Sequence, residues 1–168
     1  MQYKEVYHIA SDDEGNTVLV STDGIISVYA PKEHTFHDVP TEWLKVSDVV
    51  TIWSPSKGQF CILSKNGAIW KFSISEQSPA SLLCKSNRTI SSNQVKSAVC
   101  EGGTLYFVDS EAKMWRLDEM SSGPMMLSDL SELGEAGRTV SDICSFAGNL
   151  FVGFYAGALA RIPSSGGR

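Results

Sequence analysis

The chain has 168 residues, 42% of them apolar, which is enough for one globular domain with a buried core. Its 14 basic and 19 acidic side chains leave a net charge of −5, the wrong sign for a phosphate-backbone footprint, so direct nucleic-acid contact is not expected. The opening MQYKEVYHIASDDEG lacks an apolar core of signal-peptide length and no run of about 18 apolar residues follows, which disfavours a membrane and makes cytoplasm or nucleus the expected location.

In chain order, the first predicted element is an apolar-alternating strand, EVYHIAS. A hairpin follows in GNTVLVSTDGIISVYA from Gly15, with Asp23-Gly24 as its turn, and then a short strand HTFHDV. KVSDVVTIW opens a second round, continued by the hairpin GQFCILSKNGAIWKFS from Gly58, with Asn66-Gly67 at its turn, and by ASLLC. A third round runs QVKSAVCE, GTLYFVDSEAKMWRLD from Gly103 and PMMLSDL. LSDLSELGEAG, near residue 127, holds the one helical pattern, read as a single turn in a connection. The last round is TVSDICSF and GNLFVGFYAGALARIP from Gly148.

The four hairpins align without a gap, their glycines 43, 45 and 45 residues apart. Nine positions on stand Gly24, Gly67, Ala112 and Gly157; with Ala in place of Gly, the third turn must be of another type or strained. The shared VSDV and VSDI at Val46 and Val140 predict that the strand before each hairpin repeats too. Four short strands in 43 to 45 residues is the size of one propeller blade. The fold expected is therefore all-β: one propeller-like domain over residues 1–168, with four blades of about four antiparallel strands at roughly 5–40, 45–84, 94–130 and 139–168. After the fourth hairpin comes only PSSGGR. An open edge invites pairing, so the missing outer strand would come from residues 1–5, from another chain completing the ring, as in a homodimer, or from a longer protein; the last two are favoured because residues 1–5 are short for a strand and four blades is the low end for a closed propeller.

The frame carried by STDGIISVYA and SKNGAIWKFS resembles propeller repeats of the regulator-of-chromosome-condensation type, and also tectonin-like repeats, over nearly the whole chain. The Gly-x-x-His pair that the first family shows before its second strand does not recur here, since His8, His34 and His37 stand elsewhere, and no segment matches that family's protruding wedge. The resemblance implies a propeller and not nucleotide exchange.

Trp70 and Trp115 are equivalent repeat positions, as are Tyr29, Phe72, Leu117 and Ile162; these are read as packing between blades. Trp43 and Trp53 lie outside the strict repeat and are the candidates for exposed binding anchors. Lys71, Arg116 and Arg161 recur at one position and, being next to the aromatic column on a strand, face the other way; they form either a ring of basic contacts or a solvated face. Cys61, Cys84, Cys100 and Cys144 lack the close pairs of a zinc site and are read as structural thiols, and His34-x-x-His37 lacks a third ligand. Asp12-Asp13-Glu14 reads as a solvated turn, and Asp48 and Asp142 as blade residues bonded to backbone. No phosphate loop, dinucleotide fingerprint or nucleophile elbow occurs, so neither a cofactor nor catalysis is expected. The expectation is a non-catalytic module binding a partner protein through a propeller face or open edge. The alternatives are a carbohydrate-binding propeller and, last, an enzyme with a central pocket.

Overall fold

The computed structural model describes residues 5–32, 34–39, 45–74, 93–118, 123–133 and 139–165. Alternating apolar residues punctuated by glycine turns give four antiparallel sheets, each with its strands in sequence order. Sheet 1 holds β1 (Val6–Ser11), β2 (Thr17–Ser21), β3 (Ile26–Ala30) and β4 (Thr35–Val39). Sheet 2 holds β5 (Val49–Ser56), β6 (Gln59–Ser64) and β7 (Ile69–Ser73). Sheet 3 holds β8 (Val95–Glu101), β9 (Thr104–Asp109), β10 (Lys113–Asp118) and β11 (Met125–Asp129); sheet 4 holds β12 (Val140–Phe146), β13 (Asn149–Phe154) and β14 (Leu159–Pro163). The expected strand ASLLC and Cys84 lie outside the described residues, as does Trp43. Residues 130–133 make the single helical turn expected in the connection, of 3-10 type, and no α-helix occurs among the described residues.

Each first strand carries a bulge directly after a valine: between Val6 and His8, Val49 and Thr51, Val95 and Ser97, and Val140 and Asp142. Val49, not Val46, is thus the counterpart of Val140, and the two VSD segments are offset by three residues. Val46–Asp48 is a 3-10 turn, closed by the Asp48 N–H donating to the Lys45 carbonyl at 2.8 Å and the Val49 N–H to that of Val46. Strand β5 begins only where Val49 meets Ser64.

The turn between second and third strands is the same in all four sheets, with Gly24, Gly67, Ala112 and Gly157 at φ 85°, 79°, 59° and 82°. Of the two alternatives for the third turn, strain is the one realised: Ala112 adopts the left-handed conformation of its glycine counterparts. Asp109 holds it there. Its Oδ1 accepts from the N–H groups of Glu111 (2.9 Å) and Lys113 (3.0 Å), and its Oδ2 from Trp115 Nε1 (2.9 Å). A second non-glycine turn, Ala147-Gly148, has φ 49° and 72°, the pattern in which Asn-Gly is the preferred pair. Ala147→Asn is expected to raise the unfolding free energy by about 0.5–1 kcal/mol, read from the urea midpoint, because asparagine tolerates this conformation better than alanine.

The sheets fall into two compact units, sheets 1 and 2 in one and sheets 3 and 4 in the other. Within each unit the packing obeys one rule. Counting from the hairpin glycine, residues three and five on point to a leading face, and residues two and four on to a trailing face. The core of the first unit joins the leading face of sheet 1 (Val18, Val20, Val28) to the trailing face of sheet 2 (Phe60, Ile62, Ile52). The core of the second joins the leading face of sheet 3 (Tyr106, Val108, Met114) to the trailing face of sheet 4 (Leu150, Val152, Ile143). First strands lie side by side at these junctions, β1 with β5 and β8 with β12.

Polar bonds reinforce both junctions. In the first unit Asp12 accepts from the Glu14 and Asn16 N–H groups (2.9 Å each), from Asn16 Nδ2 (2.7 Å) and, across to sheet 2, from the Gly58 N–H (2.8 Å). Lys57 pairs with Glu14 beside it at 2.5 Å. The acidic triplet is therefore a turn whose first member ties two sheets together. Burial pushes the Asp12 carboxyl up, but the hydrogen bonds from Asn16, Gly58 and Glu14 outweigh it and hold the group below the ordinary carboxylate range. A folded-state pKa below the unfolded one gives stability that is complete above about pH 4 and lost as pH falls through the folded value. Asp12→Asn is expected to cost about 1 kcal/mol at pH 7, with the gap to wild type closing below about pH 4 in urea titrations.

Candidate interaction surface on the terminal blades

Within each unit the packing rule leaves two outer faces, and on one of each pair, the trailing face of sheet 1 and the leading face of sheet 4, apolar side chains are exposed. Other faces of the same two kinds are buried, as at Cys61 and Leu63 on sheet 2 and Leu105 and Phe107 on sheet 3. Large apolar side chains on the two remaining faces are open to solvent.

On sheet 1, Ile9 pairs with Leu19, and Tyr29 lies opposite both Thr17 and Phe36, so these residues share the trailing face. Ile9 is 65% exposed and Phe36 51%. The Tyr29 and Phe36 rings are tilted at 44° with centroids 5.0 Å apart, a close aromatic pair that caps one end of the patch. Its polar members are satisfied locally: Ser27 Oγ donates to Asp38 Oδ1 at 2.7 Å, and the Ser11 and Thr17 hydroxyls bond at 2.9 Å. What remains for a partner is apolar area with one carboxylate at its side.

On sheet 4, Phe151 lies opposite Cys144 and Arg161, Gly153 opposite Asp142 and Leu159, and Asn149 opposite Phe146. Leu159 is 69% exposed and Phe146 73%, and the Cys144 thiol is also exposed. Arg161 Nε donates to Asn149 Oδ1 at 2.9 Å, which holds the guanidinium along the face. Asp142 Oδ1 accepts from its neighbour's Ile143 N–H (2.8 Å), the backbone bond expected of it, and from Ser97 Oγ of sheet 3 (3.0 Å).

Two sheet faces with exposed apolar side chains and locally bonded polar groups form the candidate contact surface, since single exposed leucines are ordinary but grouped ones mark contact surfaces. No protein-family model and no curated protein matches the sequence. The structure, however, is similar to the extracellular domain of a putative one-component system from B. thetaiotaomicron, with a TM-score of 0.70 and 19% identity, over 98% of this chain and 23% of that one. It is similar to a chain of the mitotic checkpoint complex, with a TM-score of 0.64 and 9% identity, over 97% of this chain and 48% of that one. A computationally designed protein gives 0.60 and 10%, over 97% and 93% of the two chains. The fold is that of four propeller-type blades, and the chain spans 23% and 48% of the two natural proteins' chains.

The residues singled out in sequence take distinct places. Trp53 and Lys71 both lie opposite Cys61, on the leading face of sheet 2, and are half-buried. Arg116 lies opposite Tyr106 on the leading face of sheet 3 and pairs with Asp118 at 2.9 Å. Hydrogen bonds from Arg116 and from Thr104 hold the Asp118 carboxyl below its ordinary range, so the two charges offset each other within one strand. Arg161 lies on the exposed face of sheet 4. Trp70 and Trp115, opposite Ile62 and Phe107, occupy the other face from these cations, as strand alternation requires. The two histidines turn to separate partners, His34 Nδ1 to the Tyr29 hydroxyl (3.3 Å) and His37 Nε2 to that of Thr35 (2.9 Å).

Ile9, Phe36, Phe146 and Leu159 were not singled out from sequence. A signal was present: Thr17 and Ser27 stand in the first copy where later copies carry Phe60, Leu105 and Leu150, and Trp70, Trp115 and Ala160. A trailing face half polar at positions elsewhere apolar is one that does not meet its neighbour in the usual way.

Proposed function

We infer that this chain is a non-catalytic protein-interaction module, a scaffold of propeller blades in cytoplasm or nucleus whose kinship is with regulator-of-chromosome-condensation-like or tectonin-like repeats. The observation that carries the reading is the exposure of apolar side chains on the trailing face of sheet 1 and the leading face of sheet 4, at faces of a kind buried elsewhere in the chain. Of the residues expected at the contact, Arg161 lies on one of these faces, and its guanidinium suits the polar rim of an interface.

Affinity capture from cell extract tests this with intact protein and with Ile9→Arg and Leu159→Arg. Both substitutions put a charge on an exposed face without touching the core, so loss of the same binding proteins from either is the expected result. An unchanged set from both variants would overturn the reading.

A carbohydrate-binding propeller is a second reading, favoured by the pairing of half-buried Tyr29 with exposed Phe36 beside Ser27 and Asp38. It expects one aromatic platform per blade. The equivalents of Tyr29 in sheets 3 and 4 are Leu117 and Ile162, which offer no ring, and an empty glycan array would retire it.

A further inference from the structure

We propose that the surface covering these two faces is a second copy of the same chain, joined head to tail, with the leading face of sheet 4 of one copy on the trailing face of sheet 1 of the other. This rests on the interaction reading above and names its partner. The reason is continuity with a junction that the chain already makes twice. In both units a leading face packs on a trailing face, and the two exposed faces are one of each kind. Every chain thus carries, exposed, both halves of the contact that it forms internally.

The polar positions fit the same pairing. Within the second unit the residue just after the bulge of one sheet bonds its counterpart in the next, Ser97 to Asp142. Continued by one blade, that pattern brings Asp142 of one copy towards His8 of the other, which holds the equivalent position after the bulge in sheet 1. Arg161 lies on the leading face and Asp38 on the trailing face, so head-to-tail contact joins opposite charges. Leading face on leading face would instead oppose Arg161 to Arg161 and Asp142 to Asp142. A heterologous contact closes when each copy's two faces meet the other's.

The test is light scattering from about 1 to 100 μM, a range spanning ordinary dimer affinities. Wild type is expected at twice 18.3 kDa at the upper concentrations. Leu159→Arg blocks one half of the contact and Ile9→Arg the other, so each alone is expected as a single chain, whereas an equimolar mixture pairs through the one intact combination. Recovery of mass in the mixture also shows both variants folded. A wild type that stays at 18.3 kDa throughout, or an Ile9→Arg chain that still pairs with itself, would overturn the proposal. The two levels separate cleanly: a single-chain wild type whose captured proteins are lost with the variants removes the second copy and leaves the interaction module, and one whose captures are unchanged removes both.

Discussion

Asp109→Ala is expected to lower the unfolding free energy by about 3 kcal/mol. The residue is only 1% exposed, and alanine would leave its three close donors, Trp115 Nε1 and the Glu111 and Lys113 N–H groups, without their acceptor, besides the longer bond from Asn93 Nδ2 at 3.5 Å. Removing a buried charge recovers some desolvation energy, which keeps the figure below the sum of three charge-assisted bonds. The loss has a second route. Ala112 is held at φ 59° by this bracing, and its left-handed conformation costs about 1–2 kcal/mol that the turn must offset. Asp109→Asn is expected to cost less, about 1–2 kcal/mol, since its carbonyl serves the two backbone donors while its amide opposes the indole N–H. Urea unfolding checks both; a loss under about 1 kcal/mol for alanine would show that the turn does not depend on Asp109.

Ile52→Ala is expected to destabilise by about 2–5 kcal/mol, and Ile9→Ala by less than about 0.5 kcal/mol at concentrations where the chain is single. The two isoleucines occupy one repeat position, opposite Ile62 in sheet 2 and Leu19 in sheet 1. Ile52 is 7% exposed in the core between sheets 1 and 2, so its removal leaves a cavity, whereas Ile9 touches mostly solvent. Equal costs at the two positions would mean that the trailing face of sheet 1 is already covered within one chain. If the second copy binds as proposed, Ile9→Ala acquires a cost as concentration rises and Ile52→Ala does not change.

Much of the architecture is legible in the sequence because strand period and turn chemistry are local. GNTVLVSTDGIISVYA and its three relatives alternate over a few residues around a position that favours positive φ, and that information survives any tertiary context. The bulges were not legible, since one extra residue in a first strand changes the register without changing composition. Matching VSDV to VSDI rewarded identity at Val46 where pairing with Ser64 places Val49 instead. Ala112 shows a different limit: the sequence states the conflict at that turn, and only the position of Asp109 shows which side prevails.

The candidate site was less legible than the fold. An apolar residue on a strand has the same sequence signature whether its face is covered or open, so Ile9 and Leu159 do not stand out from their neighbours. Tryptophan drew attention by its type, yet Trp53 is half-buried on the leading face of sheet 2. Which face each residue takes follows from the hairpin register, and register depends on the whole strand pairing.

Side-chain footprinting of the wild-type chain, by radical oxidation with mass-spectrometric readout at low and high protein concentration, tests the central claim most directly. Ile9, Phe36, Cys144 and Leu159 on the two exposed faces are predicted to lose reactivity together as concentration rises, while the exposed Met125 and Met126 on β11 keep theirs. Reactivity at all six that is unchanged by concentration would contradict the assignment of these faces as the surface through which one copy binds another.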